Sequence, residues 1–371
     1  MKITVITCPF GDLPPLALGA VEKLFYQLAG VWSDEGHDVC FICAGGGVAE
    51  RMRYVRLKRY KRTGRTLTDL PIDLWYSIKA VLAMPRCDVL VCNTFWSPVL
   101  APLLRWKYKK LVYGVHRYPK GQFGLYRFVH AFICVSTVIG EAVRAQCASA
   151  AQKVKIICNP VDTSVFYPCS KGGGCKSTAV TVVYSGRIVK EKGIVNLAKA
   201  VRQLSDDNSL LKGRKLRLVL VGPWESAAGG GGESYRDELL AIYPETIFVG
   251  PVYEPQKIAD YIRSADVYCY PTIAEHGEAM PVAPLEAMAC GVPVVLPRFK
   301  CFADYAQDYE NCMMYESPVE LSVVLTSLIS DPDDGRRIAI RAMSSVGAFS
   351  IAKVAERYLS CFDLLIRDCN G

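Results

Sequence analysis

Short, almost wholly apolar runs rich in Val and Ile alternate along this chain with longer amphipathic stretches, and that alternation leaves few folds open. In the first half the runs are "KITVIT", "HDVCFICAG", "DVLVCNT", "KLVYGVH" and "AFICVS", with the helical pattern "GAVEKLFYQLAGVWSDEG" between the first two. The second half repeats the habit: "AVTVVYSGR", a helix over 193–204, "LRLVLVG", a helix near 233–241, then "TIFVG", "DVYCYP" and "VPVVLP". A strand apolar on both faces is buried on both, which calls for helices above and below a parallel sheet. At 371 residues the chain exceeds one domain of ordinary size, so the expectation is two doubly wound α/β domains. There is no internal repeat of fixed period.

Composition shifts mark the joins. "YPCSKGGGCKSTA" is Gly- and Ser-rich and reads as a linker. The expected boundaries are a first domain over 1–168, a linker over 169–178, a second domain over 179–348 and a closing segment over 349–371. That last segment holds "FSIAKVAERYLSCFDLLI", helical in its spacing of Val354, Tyr358, Cys361 and Leu365. "SAAGGGGES" interrupts the second domain and reads as a flexible surface loop. In open α/β sheets ligands bind beyond the carboxyl ends of the strands, so two such domains are expected to face each other across a cleft.

Bulk properties remove several classes. No apolar run reaches the roughly 18–20 residues of a membrane span, and the N-terminus lacks a signal-peptide pattern. The 16 cysteines sit almost all inside apolar segments, and no second C-x-x-C answers Cys40 and Cys43, which point to opposite faces of their strand. Reduced, buried thiols in a cytosolic protein are expected, not a zinc site. "DPDD" at 331–334 and "DD" at 206–207 sit at helix ends and read as caps and turns. Charge is uneven: residues 1–170 carry 22 Lys and Arg against 11 Asp and Glu, and 171–371 carry 22 against 25. The two halves are therefore expected to face different partners.

The chemistry concentrates in two stretches of the second half. In "EHGEAMPVAPLEAMACGVPVV" the glutamates Glu278 and Glu286 are separated by two prolines. Pro284 suits the first position of a short helix, where its missing N–H costs nothing, and Gly291 suits the end. Glu278 then lies on a loop, with His276 beside it, and Glu286 in the first helical turn. Carboxylates over a helix start suit a polar ligand whose anionic part meets the backbone N–H groups; the plainer alternative for Glu286 is a partner for the helix dipole. In "YSGRIVKEKG", Arg187 and Lys192 follow a strand, and Gly186 lets the backbone come close to a ligand. A guanidinium and an ammonium there would clamp a diphosphate; the alternative is a solvated turn. In the first half, Gly19 and Ala20 stand between strand and helix, where small residues let backbone N–H groups approach phosphate or sugar oxygens. His116 ends an apolar strand at its carboxyl end. His37 precedes a strand and His130 reads as part of an apolar helix, both structural.

Taken in order, "GAVEKLFYQLA", "NPVDTSVF", "SGRIVKEKG" and "GEAMPVAPLEAMACGVPVV" resemble the family 4 glycosyltransferases, over nearly the whole chain. The resemblance implies the GT-B fold of two facing Rossmann-like domains, with a final helix crossing back to the first. It implies that Glu278 of an E-x7-E pair contacts the donor sugar and Glu286 the ribose. Arg187 and Lys192 would neutralise the diphosphate, helped by backbone amides around Val282 and Ala283. The base would lie near Val252, and His116 near the reacting sugar. Met280-Pro281 stands where many members have Phe-Gly. The implied reaction is transfer from a UDP- or GDP-linked sugar to an acceptor hydroxyl with anomeric retention, without a covalent nucleophile. Lacking a DxD-type acid pair, the enzyme should need neither metal nor other cofactor.

The basic runs in 51–65 and "RWKYKK" mix cations with Tyr or Trp, which suits the headgroups of an anionic bilayer. Arg56, Lys58, Arg59, Lys61 and Arg62 form the densest cluster. They suggest a cytoplasmic enzyme held peripherally at the inner face of the membrane, with a lipid-linked saccharide or glycolipid acceptor for surface polysaccharide. Competing readings are another GT-B-like enzyme, such as a nucleotide-sugar epimerase or sugar phosphorylase, and a non-enzymatic polyanion binder. The complete donor-site pattern argues against nucleic acid as the partner.

Overall fold

The computed structural model describes residues 1–13, 19–45, 51–168 and 179–367. The segment expected to link the domains, 169–178, lies outside the described residues. The chain divides into two compact units, Met1–Pro160 with Ile351–Gly371, and Val161–Ser350.

The first unit is built on seven parallel strands: β1 (Lys2–Ile6), β2 (Asp38–Ala44), β3 (Arg53–Leu57), β4 (Cys87–Cys92), β5 (Tyr108–Val115), β6 (Ala131–Cys134) and β7 (Val154–Ile156). Their order in the sheet is β3-β2-β1-β4-β5-β6-β7. The register sets Ile3 beside Val39 on one side and Val89 on the other. The helix Ala20–Asp34 turns Leu24, Phe25, Leu28, Ala29 and Trp32 inward. It meets the last helix, Ile351–Arg367, whose Val354, Tyr358 and Phe362 join the same core. Trp32 Nε1 donates to the Ala355 carbonyl at 3.2 Å, and the Trp32 and Phe362 rings lie 5.7 Å apart.

The second unit has six parallel strands: β8 (Ala179–Ser185), β9 (Lys215–Val221), β10 (Ile247–Gly250), β11 (Val267–Cys269), β12 (Val294–Pro297) and β13 (Met313–Tyr315), in the order β10-β9-β8-β11-β12-β13. Both sheets are doubly wound, and strand order reverses between β1 and β4 and again between β8 and β11.

Three strands escaped the sequence reading. β3 lies within the basic run and is half-buried, so its apolar signal is weak; β7 and β13 have three residues each. His130 is not helical. It sits in a bend before β6, its Nδ1 accepting from the Leu111 N–H at 3.0 Å. The glycine-rich stretch at 226–232 is a built turn: Gly230, Gly231 and Gly232 donate to the carbonyls of Glu225, Ile188 and Trp224. The acidic pairs do cap and turn, with Asp331 accepting from the N–H groups of Asp333 and Asp334 and Asp207 from Ser209 and Leu210.

Candidate active site

β8 ends at Ser185, and the backbone then makes a close passage. Gly186 has φ 143°, and a Cβ there would stand 2.7 Å from the Tyr184 hydroxyl. Gly222, just past β9 with φ 142°, packs so near that a Cβ would overlap the Gly186 carbonyl. Only glycines let the two strand ends meet this way. The Tyr184 hydroxyl donates to the Arg187 carbonyl at 2.9 Å, fixing the next residue, while the exposed Arg187 guanidinium pairs with Glu191 at 2.9 Å. A short turn, Lys190–Lys192, delivers Lys192. Gly193, at φ 64°, then opens the helix Ile194–Ser205 against the Pro271 carbonyl, where a Cβ would overlap.

Lys192 is largely withdrawn from solvent. Its Nζ donates to the Tyr270 hydroxyl at 2.7 Å and to Glu278 Oε1, and the two charged side chains are 12% and 9% exposed. Glu278 Oε1 also accepts from Tyr270 Oη at 3.1 Å and Thr272 Oγ1 at 3.0 Å. Tyr270 stacks on Tyr184 with ring centroids 5.8 Å apart. Burial first, and then the Glu278 charge, push the Tyr270 phenol well above its ordinary range, so it stays a neutral donor. Tyr270 and Thr272 follow β11, and Lys192 follows β8, so the cluster stands at the carboxyl ends flanking the strand-order switch, where α/β sheets bind ligands.

The helix after this loop runs Ala283–Ala289, with Val282 as its cap; Pro284 is its second residue rather than its first. Glu286 lies in the first turn, part-buried, its N–H bonded to the Val282 carbonyl at 2.9 Å. That leaves the N–H groups of Val282 and Ala283 among those without intrahelical partners. Burial and then Glu286 raise the Tyr268 phenol, which bonds Ser185 Oγ at 2.9 Å, so the Glu286 charge bears on the end of β8. Gly291, at φ 72°, closes the helix. His276 is exposed on the loop, and Val252 lies part-buried beyond β10, at the sheet edge past β9. The sequence reading missed Tyr184, Tyr270 and Thr272, whose signal was their place at the ends of strands flanking the switch.

In the first unit, Gly19 caps the helix Ala20–Asp34 at φ 143°, and Ala20 is its first residue. A Cβ on Gly19 would lie 2.5 Å from Glu22 Oε2, so the glycine also makes room for a buried carboxylate. Cys8 Sγ donates to Glu22 Oε1 at 2.9 Å, and burial followed by the Glu22 charge pushes this thiol up to about 12. His116 follows β5, its ring edge-on to Phe25 at 5.8 Å. His116 Nε2 and Asn93 Oδ1 are both buried without a partner among the described residues, each 2.5 Å from where a Cβ on Gly114 would stand. Burial, then Arg117, holds His116 down to about 4, so the imidazole is neutral near pH 7.

The basic cluster is partly engaged within this unit. Arg56 donates to the Leu13 and Gly45 carbonyls, Arg59 pairs with Asp12 at 2.8 Å, and Arg62 approaches Asp69 at 4.0 Å. Lys58 lies over the Tyr60 ring, and Lys61 is exposed. Among the described residues no group of three or more His, Cys, Asp or Glu is arranged to hold a metal ion, and no helix is long and apolar enough to cross a membrane.

Two family models match end to end: Glycosyltransferase Family 4 over residues 21–165 and Glycosyl transferases group 1 over residues 171–344. Among curated relatives, the alpha-maltose-1-phosphate synthase of Mycolicibacterium smegmatis is 24% identical over 71% of this chain and 70% of its own length. The phosphatidyl-myo-inositol mannosyltransferase of Mycobacterium tuberculosis is 25% identical over 84% of this chain and 81% of its own. Other matched relatives are spanned over as little as 34% of their length. Among solved structures, sucrose-phosphate synthase from Thermosynechococcus elongatus superposes with a TM-score of 0.78 at 17% identity, covering 99% of this chain and 100% of that one. HepE of Anabaena in complex with UDP-glucose gives 0.74 at 16% identity, covering 98% and 99%. With two doubly wound α/β units and both family models in sequence, the chain belongs to the family 4 glycosyltransferases and has their GT-B fold.

Proposed function

We propose that this enzyme is a retaining transferase that moves a sugar from a nucleoside diphosphate to the hydroxyl of a lipid-linked saccharide or glycolipid precursor of surface polysaccharide. The observation that carries the donor half is the buried Lys192–Glu278 pair at the carboxyl ends of β8 and β11. In this reading the bond from the anomeric carbon to the diphosphate breaks while the acceptor oxygen bonds on the same face. The acceptor proton passes to the departing diphosphate. Lys192 and Arg187 meet the charge that develops on the leaving oxygens, and they do so without reorganising solvent. The N–H groups of Val282 and Ala283 meet phosphate oxygens, Glu278 a hydroxyl of the sugar, and Glu286 the ribose. Gly19, Ala20 and His116 of the first unit are assigned to sugar binding, His116 as a neutral imidazole. Val252 and His276 are assigned to the base and the loop rim. The UDP-glucose held by HepE, a protein of the same fold, supports a nucleotide-sugar donor. No step calls on a metal, so transfer should survive EDTA.

The acceptor half rests on the first unit's surface and on a relative named for mannosylating phosphatidyl-myo-inositol. Residues 51–140 carry 17 Lys and Arg against three Asp and no Glu. Those three aspartates are engaged inside the unit, with Thr63, with Trp96 N–H and with Lys109. Trp75 and Trp106 are 54% and 66% exposed on the same stretch. Cations around exposed tryptophans suit the cytoplasmic leaflet of an anionic membrane.

A panel of UDP- and GDP-sugars, scored for binding and slow hydrolysis, tests the donor assignment. With the donor it selects, Glu286→Ala should weaken binding by about 1.5–3 kcal/mol, the worth of a hydrogen bond to a charged group. Glu278→Ala should chiefly lower turnover. Wild-type kinetics in both variants would sink the reading.

A further inference from the structure

The last helix and the last strand of the first unit enclose a groove of about 650 Å³ that no step above uses. Its floor is apolar: Val154 and Ile156 from the edge strand β7, and Leu364 and Leu365 from the helix Ile351–Arg367. Leu364 is 62% exposed. The rim is cationic. Arg144 reaches over from the helix Thr137–Gln146, Lys155 projects from β7, and Lys353 and Arg357 stand one turn apart on the last helix.

One carboxylate, Glu356, shares the rim, and Lys353 already pairs with it at 2.9 Å. Among the described residues no salt bridge engages Arg144, Lys155 or Arg357. Arg144 is folded back along its helix, Nη1 lying 3.6 Å from where a Cβ on Gly140 would stand, and that position packs against Ile156 and Val154. Lys155 lies close enough to the Cys361 thiol for its charge to ease an ionisation that burial opposes. So Arg144 leans over the floor, and Lys155 lines the same groove. Four cations against one carboxylate leave the rim net positive, and an apolar trough with such a rim is complementary to a molecule with a hydrocarbon tail and an anionic head.

We propose that this groove binds a single-chain amphiphilic anion, an alkyl or acyl phosphate, with the chain along Val154, Ile156 and Leu364 and the phosphate held by Arg144, Lys155 and Arg357. The proposal does not depend on the donor reading, because none of these residues belongs to it. The same chemistry could come from a lipid within a bilayer or from a monomeric amphiphile.

Calorimetric titration of the full chain with dodecyl phosphate, below its micellar concentration, tests the site. Dodecyl maltoside presents the same chain with a neutral head, and inorganic phosphate the head without the chain. Saturable 1:1 binding of dodecyl phosphate is expected, at least tenfold tighter than either control. The double variant Lys155→Glu, Arg357→Glu should weaken it at least tenfold, and so should Leu364→Asp on the floor; all three side chains are exposed, so the changes leave the core alone. Equal binding of dodecyl maltoside, or binding within twofold of wild type in the double variant, would overturn the proposal. Vesicles containing lysophosphatidic acid form the second arm, beside vesicles of equal charge made with phosphatidylserine. Binding that the double variant weakens on the first and not equally on the second identifies a bilayer lipid as the source, and wild-type binding to monomers alone identifies a free amphiphile.

Discussion

Lys192 and Glu278 hold each other largely out of water, with Tyr270 and Thr272 completing the carboxylate's hydrogen bonds. Removing one member of such a pair strands the other, which costs about 3–5 kcal/mol, whereas replacing both is far cheaper. Lys192→Met should therefore lower the unfolding free energy by about 3 kcal/mol and abolish transfer. Adding Glu278→Gln should return most of the stability and none of the activity. Denaturant unfolding and donor hydrolysis on the two single variants and the double variant check this, and an unchanged midpoint in Lys192→Met would refute it. The histidines give a pH dependence. His116 is held down to about 4 by burial and Arg117, and His130 to about 4 by burial, Lys110 and Arg105. Both bind protons more readily unfolded than folded, so their contribution is full above about 6.5 and declines as pH falls towards 4. Unfolding free energy should drop between about pH 7.5 and 5 in the wild type, and drop less when both are changed to Gln. The charged residues of the candidate site were legible in the sequence because charge beside glycine and proline, in an apolar run, stands out. Tyr184, Tyr270 and Thr272 were not, since aromatic and hydroxyl residues at strand ends read as core until their partners are known. Glu22 stayed hidden for the opposite reason: an acid in a first helical turn reads as a dipole partner, and its burial against Cys8 is a matter of tertiary contact.

At the scale of elements, the turn after β8 depends on β9 giving way. Gly222→Ala adds a Cβ that overlaps the Gly186 carbonyl at a φ that side chains avoid. Backbone strain alone costs about 1–3 kcal/mol, and relieving the overlap must also move Gly186 and Arg187. Gly213 offers the control, because it has φ 78° but nothing within 4 Å of a Cβ. Gly222→Ala should lose both stability and donor binding, whereas Gly213→Ala should lose only stability. Donor titration beside thermal melts separates the two, and intact donor binding in Gly222→Ala would detach this passage from the site. The long apolar strands were readable because burial on both faces leaves a continuous Val- and Ile-rich run. β3 was not, because it is a half-buried strand carrying Arg53 and Arg56 whose charges are met by Asp38 and by backbone carbonyls. A basic run can thus be a strand and a surface at once. The 226–232 stretch is the converse case: its glycines suggested slack, but they serve close approach, and Gly231 fastens the turn to Ile188 beside the candidate clamp.

At the scale of the whole molecule, the excess charge of the first unit is the property most open to measurement. Liposomes of rising anionic lipid content should float the protein in proportion, and high salt should release it, since each basic residue near such a surface is worth about 1 kcal/mol. Neutralising Arg56, Lys58, Arg59, Lys61 and Arg62 together should weaken flotation, with a melting curve alongside because Arg56 and Arg59 also brace the unit. Indifference to anionic liposomes at low salt would make a soluble acceptor the better reading. The same unit is sewn from both ends of the chain, and that has a bearing on its birth. Synthesis runs in the N- to C-terminal direction, so Phe25 and Trp32 appear well before Tyr358 and Phe362, which cover them. Residues 161–350, by contrast, are contiguous and can settle as soon as they clear the exit tunnel. The unit begun first is therefore finished only after the unit begun second, and a nascent chain must keep an oily helix face waiting while residues 161–350 are made.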